Sequence, residues 1–582
     1  MPTYDAPLKQ IRLALNHAAE ASGLAAIPSM QESLGDVIDA VLEGAARFAG
    51  EVLSPLNPIG DRTPARCTPE GVTTSPGFAD AYARFRADGW TALGAPADDG
   101  GMGLSTLVGA ACGEMWAGAN LAFAMCPEVA VGAVEALRHH APAELRDRYL
   151  PQLVSGEWTA SMALTEPQAG SDLSTLRTRA EPDPARDGSW RLFGRKIYIS
   201  WGDHDFTDNI VHLVLARTPD APEGLKGISL FLVPKRVSGA NGALVANDIR
   251  AISIEHKMGI RASPTCAMVL GEQDGARGWL VGGLNEGLAC MFTMMNTMRL
   301  GVGIHSLGVA ERALQLARAH AHDRHQGRTS AGPNRPIIEH ADVRRMLLQM
   351  KALVGAARGL VYLTAATLDV ENFGASSGAS SLAAGDAKRA SASPRASLLT
   401  PIVKAWVSEV AVEVASLGVQ IHGGTGYVDD AEISQIYRDA RIGPIFEGTN
   451  YIQAQDLLGR KIIRDRCVTL NALLDDVQRT AERLPACDLR TQMLANCANL
   501  REVATTLARE AESDPNLVGS VAHHFLQWLG VVIGGWQWCL YADDDPQTAA
   551  FYAAHVLPRA RMHEAIVRSG SEAFAAVAPT SI

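Results

Sequence analysis

The sequence predicts an α+β protein: a helical N-terminal domain, a central β domain, a helical bundle and an extra helical unit. Three observations predict it. Residues 36–158 are Ala-rich with helical spacing, as in IDAVLEGAARFAGEVLSPL and VEALRHHAPAELRDRYLPQL. From residue 159 short runs rich in Val, Ile, Leu and Phe alternate with Asp, Gly and Pro clusters. From about residue 286 long helical patterns return.

Taken in order, residues 1–35 read as an arm carrying one short helix. Residues 36–158 form the N-terminal helical domain, broken at Gly- and Pro-rich stretches such as GAPADDGGMG. Residues 159–285 hold candidate strands at NIVHLVLAR (209–217), GISLFLVPK (227–235) and TCAMVLGE (265–272). Their period-2 alternation, with no helical pattern between them, predicts an antiparallel, barrel-like sheet and disfavours a parallel dinucleotide-binding sheet. Residues 286–460 read as a helical bundle, interrupted at 374–397 by a small, polar, flexible loop. Residues 461–582 form an extra helical domain, with Trp528, Trp536 and Trp538 as apolar bulk. A β domain between helical bundles creates crevices suited to a flat ligand.

Composition narrows the function. The 582 residues carry 52 basic and 63 acidic side chains, a formal net charge of −11. An acidic surface repels phosphate backbones, so nucleic acid is not expected as a partner. Nine cysteines without a C-x-x-C pair predict reduced thiols and no disulfide framework. The start, MPTYDAPLKQIRLAL, has no basic segment followed by an apolar one, and a cytoplasmic location is expected. The most apolar stretch, Trp528–Ala542, falls short of the roughly 20 residues of a membrane span and reads as a buried helix.

Four segments could carry chemistry. Met162–Asp172, MALTEPQAGSD, offers the hydroxyls of Thr165 and Ser171 beside Gly170, an edge that can bond ring heteroatoms or a thioester chain; it could equally be an ordinary turn. In Ile442–Gln455, IGPIFEGTNYIQAQ, Glu447 follows Ile445 and Phe446. Apolar neighbours raise a carboxylate's proton affinity toward that of a base working near neutrality, although a surface Glu in a turn fits as well. Gln420–Tyr427, QIHGGTGY, places paired glycines after a long helix, suited to a phosphate or to a simple C-cap. In DRHQGR, Arg324 could clamp a pyrophosphate or merely end a solvated helix. Gly301–Ser306 begins like a dinucleotide fingerprint but lies inside a helical pattern, so it reads as close helix packing. His320, His322 and His325 do not share a helix face, and no metal site is expected.

In this order, the segments YLPQLVSGEWTASMALTEPQAGSD, KIYIS, KMGIRASPT, DRHQGR, QIHGGTGY and IFEGTN resemble the acyl-CoA dehydrogenase family over nearly the whole chain. The arm, the long loop and the C-terminal helices are similar to a larger bacterial subgroup that includes fatty-acyl-CoA and 3-methylmercaptopropionyl-CoA dehydrogenases. The resemblance implies the acyl-CoA dehydrogenase fold and FAD as cofactor. It implies that Met162, Leu164 and Thr165 touch the isoalloxazine, with Tyr198, Ile199 and Ser200 as a second flavin-contacting strand. Arg324 is implied on the pyrophosphate from a partner subunit, Gln420, Gly423 and Gly424 on the adenosine half, and Thr449 and Asn450 as further FAD contacts. Ser171 would lie near the pantetheine, and Asn296 and Arg299 would bind the CoA moiety. Glu447 would be the catalytic base that removes an α-proton while the β-hydrogen leaves as hydride, giving a trans-2-enoyl-CoA. The same resemblance implies a role in fatty-acid β-oxidation and electrons passed to an electron-transfer flavoprotein. An acyl-CoA oxidase or flavin monooxygenase shares the fold, and a nucleic-acid-binding relative is a remoter alternative. The resemblance implies that the extension packs on the body where smaller relatives place a second dimer, and a homodimer is expected.

Overall fold

A computed structural model describes residues 3–27, 36–184, 187–239, 241–330, 332–376 and 392–572, together with Val577 and Thr580. The chain divides into two units. A β unit comprises Arg47–Leu104 and Ala119–Met298, and a helical unit comprises Met1–Ala46, Ser105–Gly118 and Arg299–Ile582.

The β unit begins with a small hairpin, β1 (Arg66–Thr68) and β2 (Gly71–Thr73). The main strands follow as β3 (Thr159–Ala163), β4 (Arg179–Pro182), β5 (Ser189–Ser200), β6 (Ile210–Ala216) and β7 (Ser229–Pro234). A second small hairpin, β8 (Arg236–Ser238) and β9 (Leu244–Ala246), precedes β10 (Ile249–Ile254), β11 (Thr265–Leu270) and β12 (Ala276–Val281). The order β10-β11-β5-β12-β7-β6-β3, with β4 beside β5, makes an eight-stranded sheet. Two features depart from the expected antiparallel barrel. The sheet is open, ending at β10 and β3, and β3 runs parallel to β6.

Strands β6 and β7 are buried along their whole length. Alternation explains how: Val211, Leu213, Leu215, Leu230 and Leu232 face one core, which includes Val134, Leu137, Leu150 and Leu153 from helices. Val214, Ala216, Phe231 and Val233 face a second core with Ile249, Met268 and Leu270. Both strands therefore read as continuous apolar runs, the pattern of a strand covered on two sides. Aromatic rings fill the unit elsewhere, with Tyr82 stacked on Phe206 at 5.0 Å.

The long helices lying wholly within the helical unit include Ala341–Ser376, Ser408–His422, Val468–Arg483, Asp488–Glu510 and Leu517–Leu540. Helices extend into both ends of the segment expected to be a loop at 374–397. The described residues at its ends are helical, up to Ser376 and again from Ala392, while 377–391 fall outside the described residues. The apolar stretch Trp528–Ala542 belongs to a longer helix, Leu517–Leu540. Among the described residues, three helices are long and apolar enough to cross a membrane, and 72% of this one's apolar window is covered by protein. Its indoles are satisfied as well as buried: Trp528 donates to Asn496, Trp536 to Thr480 and Trp538 to the Ala352 carbonyl, at 2.9–3.0 Å. Trp406 and Trp538 lie where side chains at Gly530 and Gly355 would be, so each indole packs directly on a glycine backbone. All nine cysteines are free thiols.

Candidate active site

The two segments expected at the isoalloxazine lie side by side in the β unit. β3 runs into Leu164 and Thr165, and the Thr165 carbonyl accepts from Ile197 N–H at 2.9 Å, which brings the end of β5 alongside. Met162 and Thr165 are half-buried, and Leu164 and Ile199 are buried. Tyr198 is 61% exposed and adopts the left-handed region at φ 60°. Such a backbone costs a non-Gly residue about 1 kcal/mol or more and concentrates at functional sites. Ser200 pairs with Thr265 on β11. Ser171 is exposed on the loop that follows Thr165, and Asn296 is exposed near the end of the unit.

Sequence reasoning passed over what holds this edge together. Glu166 and Lys196 form a buried ion pair at 2.8 Å. Lys196 also donates to the Leu164 carbonyl at 3.0 Å. The Glu166 carboxylate accepts from the backbone N–H groups of Arg177 and Thr178 and from the Thr178 hydroxyl, at 2.6–3.0 Å. Burial alone would raise its proton affinity, yet Lys196 and these donors hold it down to about 2. The Glu and Lys were visible inside MALTEPQAGSD and KIYIS, but only their pairing on adjacent chain segments reveals the role.

In the helical unit, Glu447 sits at the tip of a loop that Asn450 N–H closes by donating to the Pro444 carbonyl at 3.0 Å. Its φ of 55° is left-handed, and Gly448 follows at 83°. Gln453 Nε2 donates to the Glu447 carbonyl at 3.2 Å. Thr449 Oγ1 caps the next helix by accepting from Ile452 N–H. The Asn450 side chain is buried and engaged by Lys404, Ser408, Glu409 and the Ala405 carbonyl. Glu447 itself is half-buried, and Ile445 beside it is 50% exposed.

Cations accompany it. Arg299, expected on the CoA moiety, is buried. Burial lowers its proton affinity, while Asp456 and Glu447 raise it. Lys404 is fully buried; burial brings its proton affinity down to about 7, against the pull of Glu447 and Glu409. The carboxylate thus lies in a charged setting as well as an apolar one.

The remaining expected FAD residues of this unit gather at a different place. Gln420, Gly423 and Gly424 are exposed after the Ser408–His422 helix. Gly423 has φ 61° and ψ −142°, a conformation essentially restricted to glycine. A β-carbon at Gly423 or Gly424 would meet nothing within 4 Å, so this backbone lies open to a ligand. Arg324 is exposed just beyond the helix Gly287–Asp323. His320 on that helix stacks on His422 at 4.3 Å, which joins the Arg324 turn to the glycine loop. Among the described residues, no group of His, Cys, Asp and Glu is arranged to hold a metal.

Comparison with known proteins gives this geometry its context. Family models for the acyl-CoA dehydrogenase N-terminal, middle and C-terminal domains match residues 40–157, 161–272 and 285–462. An acetyl-CoA dehydrogenase C-terminal-like model matches 473–578. The 3-methylmercaptopropionyl-CoA dehydrogenase of Ruegeria pomeroyi is 42% identical over 92% of this chain and 90% of its own length. The chain belongs to the acyl-CoA dehydrogenase family. It is therefore an oxidoreductase of acyl-CoA thioesters, and FAD is the family's cofactor. Among solved structures, Caenorhabditis elegans ACDH-11 in complex with C11-CoA superposes with a TM-score of 0.77, at 20% identity over 95% of this chain and 91% of its own. An acyl-CoA dehydrogenase from Bacillus anthracis complexed with FAD gives 0.73, at 23% identity over 92% and 88%.

The residues present fit the cofactor. The Thr165–Ser200 edge offers hydroxyls and strand-end backbone to a flavin ring. The open Gly423–Gly424 backbone and the Arg324 guanidinium suit adenosine and pyrophosphate oxygens.

Proposed function

We propose that this acyl-CoA dehydrogenase removes the α-proton of its thioester with Glu447 and hands its electrons to an electron-transfer flavoprotein. The observation that carries the reading is the placement of Glu447. It is a carboxylate at the tip of a closed loop, on a left-handed backbone, within electrostatic reach of two buried cations, Arg299 and Lys404.

The negative charge of Glu447 raises the proton affinities of Arg299 and Lys404, and as the base it would take up the α-proton. The backbone N–H of Glu447 serves as a donor to the thioester carbonyl, where negative charge grows as the α-proton leaves. The flavin, when bound, supplies the acceptor for the β-hydrogen. Gln453, Thr449 and Asn450 keep the loop from relaxing during that transfer.

For the substrate we favour 3-methylmercaptopropionyl-CoA, because the likeness to the Ruegeria pomeroyi dehydrogenase extends over nearly its full length. The test is anaerobic mixing of the FAD-loaded protein with a panel of acyl-CoAs, this thioester among them, scored by bleaching of the flavin. Glu447→Gln should keep its flavin and lose bleaching by about a hundredfold or more. Bleaching at the wild-type rate would assign the proton to another base. Turnover that consumes oxygen without an added acceptor would replace the flavoprotein partner with O2. We further propose a homodimer, two chains of 61.8 kDa, and light scattering at twice that mass is the expected result.

A further inference from the structure

Lys404 lies in the π-helical turn Val403–Val407 with no exposed surface, and its Nζ donates to Asn450 Oδ1 at 3.0 Å. Asn450 is the residue whose backbone closes the Glu447 loop. Its amide nitrogen donates in turn to the Ala405 carbonyl at 3.2 Å and to Glu409 at 2.8 Å. The Asn450 side chain is thus gripped by an ammonium at its oxygen and by acceptors at its nitrogen. A buried ammonium costs several kcal/mol unless negative charge compensates it. The charges acting on Lys404 are Glu447 from the loop and, opposing it, Arg299 from the Gly287–Asp323 helix, with Glu409 from the Ser408–His422 helix; the helices Ala341–Ser376, Ala392–Ile402 and Leu517–Leu540 also pack on the turn and add no charge to this set. Gly303 of the Gly287–Asp323 helix packs directly against Val403, which leaves the turn little freedom to move.

We propose that Lys404 is a positioning residue for Glu447: it anchors the loop through Asn450 and, by its charge, favours the ionised carboxylate. This rests on the reading of Glu447 as the base. A neutral residue of similar length would keep the packing and lose the charge, which makes the two roles separable.

The experiment is the pH profile of anaerobic flavin bleaching by a saturating acyl-CoA, on full-length FAD-loaded protein. Wild type is compared with Glu447→Gln, Lys404→Gln, Lys404→Met and Lys404→Arg. In the two neutral variants the acid-side midpoint should move up by about one pH unit, with bleaching below it slowed about tenfold. Lys404→Arg should restore the wild-type midpoint or lower it. A neutral variant with altered rate but an unmoved midpoint would reduce Lys404 to a packing role. Should both neutral variants lose their flavin, an upward midpoint in Lys404→Arg would overturn the proposal and an unchanged or lower one would support it. The outcomes separate the two claims. Wild-type bleaching in Glu447→Gln removes the base itself, whereas an inactive Glu447→Gln with unmoved Lys404 midpoints removes only the inference about the lysine.

Discussion

Glu166 and Lys196 show how a single pair governs a functional edge. Each is almost wholly removed from water, and their carboxylate and ammonium together fix Leu164, Arg177 and Thr178. Replacing the acid strands the ammonium in a dry site. Glu166→Gln should therefore destabilise the protein by about 3–5 kcal/mol, read as a drop in denaturant midpoint, and should release flavin before global unfolding. Gly423 is the backbone counterpart. Its φ and ψ are closed to residues with a β-carbon, although space for one exists. Gly423→Ala should cost about 1–3 kcal/mol locally, seen as weaker retention of FAD with little change in the melting of flavin-free protein. Residue identity pointed to some of these positions and hid others. The glycines and Glu447 stood in recognisable strings. Lys404, inside the apolar run LTPIVKAWVSEV, reads like a solvated lysine whose stem covers a helix face, and nothing in its neighbours reveals that it is buried.

At the scale of elements, composition located helices and strands well and connected them less well. NIVHLVLAR, GISLFLVPK and TCAMVLGE became β6, β7 and β11. The near-continuous apolar runs of β6 and β7 carried the mark of strands covered on both faces, which a reading by period-2 alternation passed over. Nor could that reading foresee the open sheet or the parallel pairing of β3 with β6, because these depend on partners distant in sequence. Helix packing offers a sharper test. Trp406 fills the notch left by Gly530 and Gly534 on the Leu517–Leu540 helix. Trp406→Ala should leave a cavity and cost about 3–5 kcal/mol, measured by equilibrium unfolding.

For the whole molecule, acid sensitivity follows from two buried imidazoles in the β unit. His204 receives a hydrogen bond from Phe206 N–H on Nδ1, so its Nε2–H donates to Thr159; His212 contacts Ser161 at 2.6 Å. Burial, with Lys235 nearby, brings both proton affinities down to about 3 from an ordinary 6.5. Above pH 6.5 both states are neutral and the full stability is present. As pH falls from there toward 3, the unfolded chain takes up protons that the native state refuses. Each histidine then removes about 1.4 kcal/mol per pH unit. Urea titrations should show stability falling steeply below about pH 6. His212→Gln, which keeps a polar partner for Ser161, should reduce the slope by about 1.4 kcal/mol per pH unit.

The π-helical turn Val403–Val407 has two customers. Lys404 reaches the Glu447 loop, and Trp406, two residues on, rests in the glycine notch of the C-terminal extension. Tyr451, one residue after Asn450, adds a second strut by donating to the Gly519 carbonyl at 3.1 Å. The terminal helices thus brace the Glu447 loop rather than hang from the body as an appendage. An engineer seeking to retune turnover without redesigning the substrate cavity could begin with substitutions confined to 517–540.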